Sequence, residues 1–294
     1  MWRMLGSESE RSITRHAIAR LAILTLDENV SGRHQRTTAR YTSLLSAVAS
    51  VEMRVQVRRL LRKSVRKTGF RRQIAPTFVD VMTRLNIDTV LDVGANDGDF
   101  GREIRDEGYT GRIISFEPNP LAFARLSKNV ASDSLWDAFQ LGIGDEQGLL
   151  WLSVSNDDVF SSFKSITDLG ARSYHAKTLQ SVEVEVVRLD SFLSQRPHLL
   201  QSCYLKIDTQ GFEMEVLRGV GADLSRMKAV QAEIGLVKTY NNEADWLDMM
   251  LWMRSNGFEV ATAVCNSALT EEAQVREFDF VFVQRPQGRV AHAA

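Results

Sequence analysis

Three short blocks of the sequence combine glycines with acidic side chains in arrangements that suit ligand binding and proton transfer. The first block, VLDVGANDGDFG over positions 90–101, is an apolar run that ends in a glycine-rich turn. Gly94 and Gly98 let the backbone approach a ligand closely and adopt angles that other residues avoid. This block predicts a buried strand, a turn that meets a ligand, and a following helix.

The second block, FEPNP over positions 116–120, carries an acid in a position that suits a nucleoside. Glu117 follows Gly94 by 23 positions and ends the second predicted strand. A carboxylate there can accept hydrogen bonds from both hydroxyls of a ribose. Prolines on both sides of Asn119 make a rigid turn that starts the next helix. A helix start alone is the simpler interpretation, but the match of turn and acid favours a ligand.

The chemistry of the first block separates S-adenosylmethionine (SAM) from a nicotinamide dinucleotide, whose site has the same outline. Asp92 would repel a pyrophosphate, whereas its carboxylate suits the ammonium group of SAM. The turn also lacks the G-x-G-x-x-G spacing that places a pyrophosphate at a helix N-terminus. The pattern therefore favours SAM as the cofactor over a dinucleotide and over a purely structural turn.

The third block, LKIDTQGFE over positions 205–213, lies at the carboxyl end of a predicted central strand, where open α/β sheets bind ligands. Lys206 and Asp208 point to the same strand face and can pair. Asp208, Glu213 and Glu233 are the candidate general bases, because a carboxylate can take a hydroxyl proton late in a displacement. Glu233 lies inside an apolar strand, so its charge needs either a partner such as Lys206 or a catalytic role. Both alternatives stay open.

A metal is not predicted at this block. Asp208 could be a cation ligand, but no Asp-Asn pair follows it here. A hard cation would need further oxygen ligands of that kind.

The blocks fall within a regular alternation of strands and helices that begins at Pro76. Apolar, strand-like runs recur at 88–93, 113–116, 138–143, 203–207, 229–234, 258–264 and 278–283. Helical stretches are predicted at 76–85, 100–107, 121–129, 213–217 and 245–254. Such alternation predicts a doubly wound, mostly parallel α/β sheet.

One interruption divides this pattern. Two alternating runs, 149–154 and 182–189, predict extra strands on either side of a polar loop, 155–180. We expect acceptor specificity in this loop and around 240–245, because loops near the mouth of a site carry such contacts.

Charge divides the chain into two predicted regions, 1–75 and 76–294. The first holds 16 Lys+Arg and 5 Asp+Glu; subtraction from the totals of 36 and 37 leaves 20 and 32 for the second. We predict a basic, mostly helical N-terminal extension ahead of a mildly acidic catalytic domain. Residues 51–72 fit a basic amphipathic helix in peripheral contact with an anionic membrane. A solvated helical face is the alternative interpretation.

Composition also bounds the class and the compartment. An apolar content of 44% and a charged content of 25% are ordinary for a soluble globular protein. Cys203 and Cys265 form neither a zinc spacing nor a disulfide framework, which indicates a cytoplasmic protein. No apolar run approaches ~20 residues, so we expect no transmembrane helix. The sequence predicts no oligomeric state.

Taken in order, the three blocks resemble the FkbM family of methyltransferases. The matching residues are DVGANxG from Asp92, FEPNP from Phe116 and LKIDTQGFE from Leu205, followed by VLxG from Val216. The resemblance covers roughly residues 76–285, and K-x-D-x-Q-G-x-E is its specific part. It implies the class I methyltransferase fold: a Rossmann-like, seven-stranded, mostly parallel sheet with helices on both faces and an antiparallel last strand.

The resemblance also implies a reaction and roles for individual residues. The reaction is SAM-dependent O-methylation of a hydroxyl on a sugar, glycolipid or secondary metabolite. By carry-over, the cofactor-binding residues are Asp92, Gly94, Asn96 and Gly98 around the amino-acid part of SAM, Glu117 at the ribose with Asn119 beside it, and Asp145 at the adenine edge. The catalytic candidates are Lys206, Asp208, Glu213 and Glu233.

Two other functions stand as alternatives. A nucleic-acid methyltransferase would use the basic region as a backbone clamp, but the chain lacks a Pro-Pro-aromatic turn after the fourth strand and any Pro-Cys pair. A non-catalytic module would keep the fold to bind a partner, but the intact glycine turn and Glu117 argue against loss of the cofactor site. We therefore expect a small-molecule or glycan acceptor and no nucleic acid.

Overall fold

The computed structural model describes residues 76–267, 270 and 273–285. The predicted basic extension over 1–75 and its predicted membrane contact lie outside these residues. Within the described part of the chain, no helix combines the length and the apolar character needed to cross a membrane.

Ten strands are described, and seven of them form the central sheet. The strands are β1 Thr89–Val93, β2 Arg112–Phe116, β3 Trp136–Phe139, β4 Gly142–Ile143, β5 Gly148–Ser155, β6 Thr178–Val187, β7 Cys203–Ile207, β8 Met227–Gly235, β9 Phe258–Cys265 and β10 Glu277–Gln284. The central sheet has the order β3-β2-β1-β7-β8-β10-β9. Its pairs are parallel except for β10, which is antiparallel to β8 and to β9. This confirms the predicted seven-stranded sheet with an antiparallel last strand.

Helices cover both faces of the central sheet. They are α1 Phe78–Leu85, α2 Asp99–Glu107, α3 Pro120–Val130, α4 Asp168–Tyr174, α5 Leu189–Ser194, α6 Glu213–Gly219 and α7 Trp246–Ser255. Alternate residues of a strand point to opposite faces, so Val90 packs with α1, α2 and α3 in one apolar cluster. Leu91 and Val93 pack with α5, α6 and α7 in the other. The core is therefore two layers separated by one buried sheet.

A second sheet of three strands, in the order β4-β6-β5, follows the third strand of the main sheet. β5 and β6 pair antiparallel over nearly their whole length, which confirms the two extra strands. The single strand expected over 138–143 is in fact two, because the chain leaves the central sheet after β3 and pairs β4 with β6 instead. The segment between β5 and β6 is not only a loop, since it contains a 3-10 turn, Asp158–Phe160, and α4.

Candidate functional site

The glycine turn after β1 is held against the ends of two neighbouring strands. The backbone N–H groups of Gly94 and Ala95 both donate to the carbonyl of Phe116 at 3.0 Å, and Asp208 N–H donates to the carbonyl of Val93 at 3.0 Å. Gly94 has φ +76°, and a Cβ at this position would lie 1.8 Å from the Asp208 carbonyl oxygen. Only glycine permits this close approach of two backbones.

Glu117 faces this turn from the end of β2. Its Oε2 accepts a hydrogen bond from Asn96 N–H at 2.8 Å, and its Oε1 accepts one from Asn119 N–H at 2.8 Å. Burial raises the pKa of the Glu117 carboxyl to about 7, while the hydrogen bonds from Asn119 and Asn96 oppose the shift. The carboxylate is thus fixed in orientation, with lone pairs left on both oxygens for a further donor.

Two cavities open on either side of the turn. The larger is a cleft of about 1020 Å³, and the smaller is a pocket of about 60 Å³ that contains Glu117. Both are lined by Gly94, Asn96, Asp158, Val159 and Asp208. These five residues therefore form the partition between the pocket and the cleft.

Lys206 lies under the turn within a buried network of charges. Its Nζ is 3.3 Å from Asp92 Oδ1, 3.4 Å from Asp208 Oδ2 and 3.2 Å from the Gly94 carbonyl, to which it donates. Burial lowers the pKa of Lys206, but the carboxylates of Asp208 and Asp92 outweigh this effect and the net pKa is raised. Lys206 is therefore a permanent cation that ties β1, β7 and the glycine turn together.

Asp92 takes part in the fold of this region rather than in its cavities. The Asp92 side chain is fully buried, and its Oδ2 accepts from Ser115 Oγ at 2.9 Å. Ser115 Oγ in turn accepts from Trp136 Nε1 at 3.0 Å. Asp92 lines neither cavity and faces Lys206; its predicted contact with the ammonium group of SAM stays a prediction. Asp92 is the last residue but one of β1, so its carboxylate lies beside residues of the neighbouring strands and not at the edge of the sheet where the strands end.

Gln210 connects two of the predicted base candidates. Its Nε2 donates to Asp208 Oδ1 at 3.0 Å and to Glu233 Oε2 at 2.8 Å, and its Oε1 accepts from Tyr240 Oη at 3.0 Å. Burial, followed by the charges of Asp208 and Glu277, raises the pKa of Glu233 well above its ordinary value. Burial thus favours the protonated form of Glu233, and the side chain contacts Gln210 and not Lys206.

Glu213, the third base candidate, holds the loop that follows β7. A single oxygen, Oε1, accepts from Thr209 N–H and Gly211 N–H, both at 3.0 Å, and from Thr209 Oγ1 at 3.2 Å. Burial raises the pKa of Glu213 to about 7 against the effect of these hydrogen bonds. Glu213 lines neither cavity, which favours a structural role.

Because of such buried carboxyls, the stability of the folded domain should decrease as pH rises. The pKa of Glu213 is about 7 in the folded state and about 4.3 in the unfolded state, where the carboxyl is exposed. Between these two pH values the Glu213 carboxyl is therefore protonated in the folded state and ionised in the unfolded state. The free energy of unfolding then decreases as pH rises, with a slope of up to about 1.4 kcal/mol per pH unit. In urea titrations from pH 4.5 to 8, Glu213→Gln should flatten this slope, whereas Glu146→Gln, at an exposed position, should not. An unchanged slope in Glu213→Gln would contradict the burial argument.

Comparison with known proteins identifies the family. The model of the methyltransferase FkbM domain matches residues 92–260, more than half of the chain. The chain belongs to the FkbM methyltransferase family. This membership confirms the predicted methyltransferase class and SAM as its cofactor.

Individual relatives are similar at a lower level. Methyltransferase 1 of Beauveria bassiana is 28% identical over 184 residues, which are 58% of this chain and 72% of that protein. The 2-O-methyltransferase NoeI of Sinorhizobium fredii is 26% identical over 162 residues, 52% of this chain and 66% of that protein. A solved methyltransferase FkbM from Methylobacillus flagellatus is 14% identical with a TM-score of 0.40, and the match covers 66% of this chain and 44% of that one. This chain thus spans less than half of that solved protein.

The remaining predicted residues of the FkbM site divide into two groups. Gly94, Asn96, Glu117, Lys206 and Asp208 line one or both cavities. Gly98 does not; it precedes α2 at φ +92°, where a Cβ would lie 2.9 Å from the Leu126 side chain. Asn119 does not either: its Oδ1 caps α3 by accepting from Leu121 N–H at 3.1 Å. Both therefore position the neighbouring elements.

Asp145 lines neither cavity, and its predicted contact with an adenine edge stays a prediction. Its carboxylate lies 3.8 Å from Arg218, and its carbonyl accepts from Arg188 at 2.6 Å. The reason is the strand break described above. Asp145 follows β4, in the second sheet, and not the end of β3.

Several lining residues were not predicted from the sequence. The cleft is also lined by Asp279 of β10 and by Gln231 of β8. Asp279 carries the same signal that marked Glu233, an acid inside an apolar strand, and that signal would have found it. Arg125 and Asp158 lie 33 positions apart, and neither belongs to any motif, so only the folded structure brings them together. Among the described residues, no cluster of three or more His, Cys, Asp or Glu is arranged to hold a metal.

Proposed function

We propose that this FkbM methyltransferase methylates a hydroxyl group on a sugar, glycolipid or secondary metabolite. The relative NoeI is named as a 2-O-methyltransferase, which supports oxygen as the accepting atom. The observation that carries the proposal is the position of Glu117 and Asp208 on two cavities that share the Gly94–Asn96 wall. One carboxylate thus serves a nucleoside and the other serves the reacting group.

The residues of the small pocket fit a SAM nucleoside. Glu117 presents a buried carboxylate with both oxygens oriented by backbone N–H groups. Two neighbouring ribose hydroxyls are the donors that such a carboxylate accepts best. Gly94 and Asn96 would hold the adjoining part of the cofactor, since at these positions the backbone itself forms the cavity wall.

Asp208 is the proposed general base. When bound, SAM supplies a methyl group on a sulfonium. An oxygen nucleophile would attack the methyl carbon, and the sulfur would leave as a neutral thioether. Asp208 lines both cavities and its side chain is 34% exposed, so an acceptor hydroxyl can reach it from the cleft. It would accept the hydroxyl proton late in the displacement, while alignment of the hydroxyl provides much of the rate enhancement. Lys206, whose Nζ lies 3.4 Å from Asp208 Oδ2, would orient the Asp208 carboxylate.

The cleft suits an acceptor that has both polar and apolar parts. Its lining includes the polar groups of Lys206, Asp208 and Gln231. It also includes Leu121 and Leu179, which are 60% and 68% exposed. Exposed apolar side chains around a cleft mark a ligand surface. An acceptor whose hydroxyl sits on a larger apolar body would cover both kinds of group.

A methyl-transfer experiment tests this function. Purified full-length chain and methyl-labelled SAM are incubated with sugars, glycolipids and secondary metabolites, and labelled products are identified by mass. A methyl ether in the product would agree with the proposal. Methyl transfer only to nitrogen, carbon or nucleic acid would overturn it.

Glu117 should control cofactor affinity. We expect Glu117→Gln to weaken SAM binding by about 10- to 100-fold, because an amide offers one acceptor oxygen where the carboxylate offers two, and charged hydrogen bonds contribute most. Isothermal calorimetry measures this directly. Affinity should also fall below pH 7, since protonation of Glu117 removes the acceptor charge. Glu146→Gln is the control at an exposed acid. Equal affinities for both variants would exclude Glu117 from the ribose site.

A further inference from the structure

A short segment of the insertion between β5 and β6 covers the boundary of the two cavities. We call residues 157–160 the strap; its Asp158 and Val159 line the pocket as well as the cleft. The end of the strap is held by Phe160, whose ring stacks on Tyr174 with centroids 4.5 Å apart. The Phe160 carbonyl also accepts from Tyr240 Oη at 3.3 Å. This side of the strap is therefore firmly attached to the domain.

On the other side of the strap, Asp158 makes polar contacts with α3 and with the glycine turn. Arg125 of α3 donates to Asp158 Oδ2 in an ion pair. Asn96 Nδ2 donates to Asp158 Oδ1 at 3.3 Å, and Asn96 Oδ1 accepts from Arg125 at 3.4 Å. Asn96 also carries the backbone N–H that holds Glu117. The three side chains form a closed ring of contacts directly beside the Glu117 pocket.

With this ring closed, the pocket cannot take a nucleoside. Its volume is about 60 Å³, whereas sites for small-molecule ligands occupy roughly 300–1,000 Å³. Glu117 lines this pocket and not the cleft. Because Asp158 and Val159 belong to the partition, withdrawal of the strap would join the pocket to the cleft. Movement of the strap would therefore open the space that a ribose needs beside Glu117.

We propose that Arg125, Asp158 and Asn96 form a latch that keeps the strap closed and sets the rates at which SAM enters and leaves. Arg125 and Asp158 are positioning residues, because they act through the strap and through Asn96. The Arg125 and Asp158 side chains are 45% and 25% exposed, and exposed ion pairs are weak. The latch is thus weak enough to open repeatedly. This inference rests on the proposed SAM-dependent function.

Two variants with opposite changes of charge separate a latch from simple electrostatics. SAM is a net cation at neutral pH, so removal of Arg125 would raise its association rate by steering alone, whereas removal of the Asp158 charge would lower it. A latch predicts the same direction for both. We expect Arg125→Ala and Asp158→Asn each to raise the association and dissociation rates by about 2- to 10-fold, with a smaller change in affinity. Stopped-flow measurement with SAM and the full-length chain gives both rates.

The control is an ion pair of similar exposure at the amino end of β2, away from the two cavities at its carboxyl end. Arg112, the first residue of β2, pairs with Asp137 at 2.7 Å and is 37% exposed. Arg112→Ala should leave both SAM rates unchanged. Opposite effects of Arg125→Ala and Asp158→Asn, or no effect of either, would overturn the latch while leaving the methyltransferase function intact. Absence of SAM binding by the unmodified chain would overturn the proposed function and the latch with it.

Discussion

Replacement of Asp208 by Asn is expected to lower kcat by about 10²- to 10⁴-fold, the usual contribution of a positioned general base. The amide keeps the size of the side chain and can still contact Gln210, which donates to Asp208 Oδ1 at 3.0 Å. It cannot accept the hydroxyl proton. Lys206 keeps Asp92 as an ion-pair partner at 3.3 Å, so the fold should survive. Single-turnover methyl transfer together with SAM calorimetry would show a rate loss at nearly unchanged SAM affinity.

Glu233→Gln provides the matched control for this experiment. Glu233 lines neither cavity, and an amide at this position keeps the size of the side chain and can still contact Gln210, which donates to Glu233 Oε2 at 2.8 Å. We expect activity within a few-fold of the unmodified chain. A large loss of activity in Glu233→Gln with normal activity in Asp208→Asn would instead assign the base to Glu233, which Gln210 connects to Asp208.

The fold was predictable because the sequence repeats the same physical pattern. Buried parallel strands are mostly apolar, and all five residues of β1 and of β7 are buried, although each of these strands carries one charged residue. The antiparallel β10 was implied by the family resemblance and not by its residue pattern. The prediction failed at 138–143, where two short strands lie close together in the chain but belong to different sheets. Which strand each segment pairs with decides whether such a run forms one strand or two. The apolar character of the run itself does not reveal these pairing partners.

The parts of the site that lie at the ends of neighbouring parallel strands were predictable from the sequence. Gly94 and Glu117 belong together because parallel strands end at the same edge of a sheet, and Asn96 N–H meets Glu117 at 2.8 Å. The roles of buried charges were less predictable. Asp92 and Lys206 pair inside the sheet because neighbouring strands place them side by side in register. Whether an acid at the end of a strand faces a cavity or a partner depends on that register, and the register between distant strands is not visible in either segment alone.

The partition between the cavities lies beyond what the sequence could show. Asp158 belongs to the insertion and Arg125 to α3, and their contact joins two segments with no shared motif. The polar loop was expected to contact an acceptor, and it does line the cleft with Ser155 and Gln180. Its contact with Asn96 shows that it also borders the small pocket that we propose for the cofactor. One insertion can therefore influence the binding of both substrates.

Replacement of Gly94 by Ala should damage both the stability of the domain and the cofactor site. A non-glycine residue in a left-handed conformation, here φ +76°, costs about 1–2 kcal/mol. The added Cβ would also lie 1.8 Å from the Asp208 carbonyl oxygen and 2.8 Å from its carbon. Because both atoms belong to the backbone, relief requires β1 and β7 to separate, at a further cost of about 1–3 kcal/mol. Urea unfolding measures the sum, and SAM calorimetry should detect little or no binding.

Gly257→Ala separates the two parts of this effect. Gly257 has a similar φ, +86°, but no heavy atom lies within 4 Å of the position that its Cβ would take. This variant should therefore lose only the conformational part of the stability and keep its SAM affinity. The difference between the two variants then measures the steric contact of the glycine turn with the Asp208 backbone. If both lose the same stability and both bind SAM, the turn and Asp208 are not in the close contact from which the cavity wall is built.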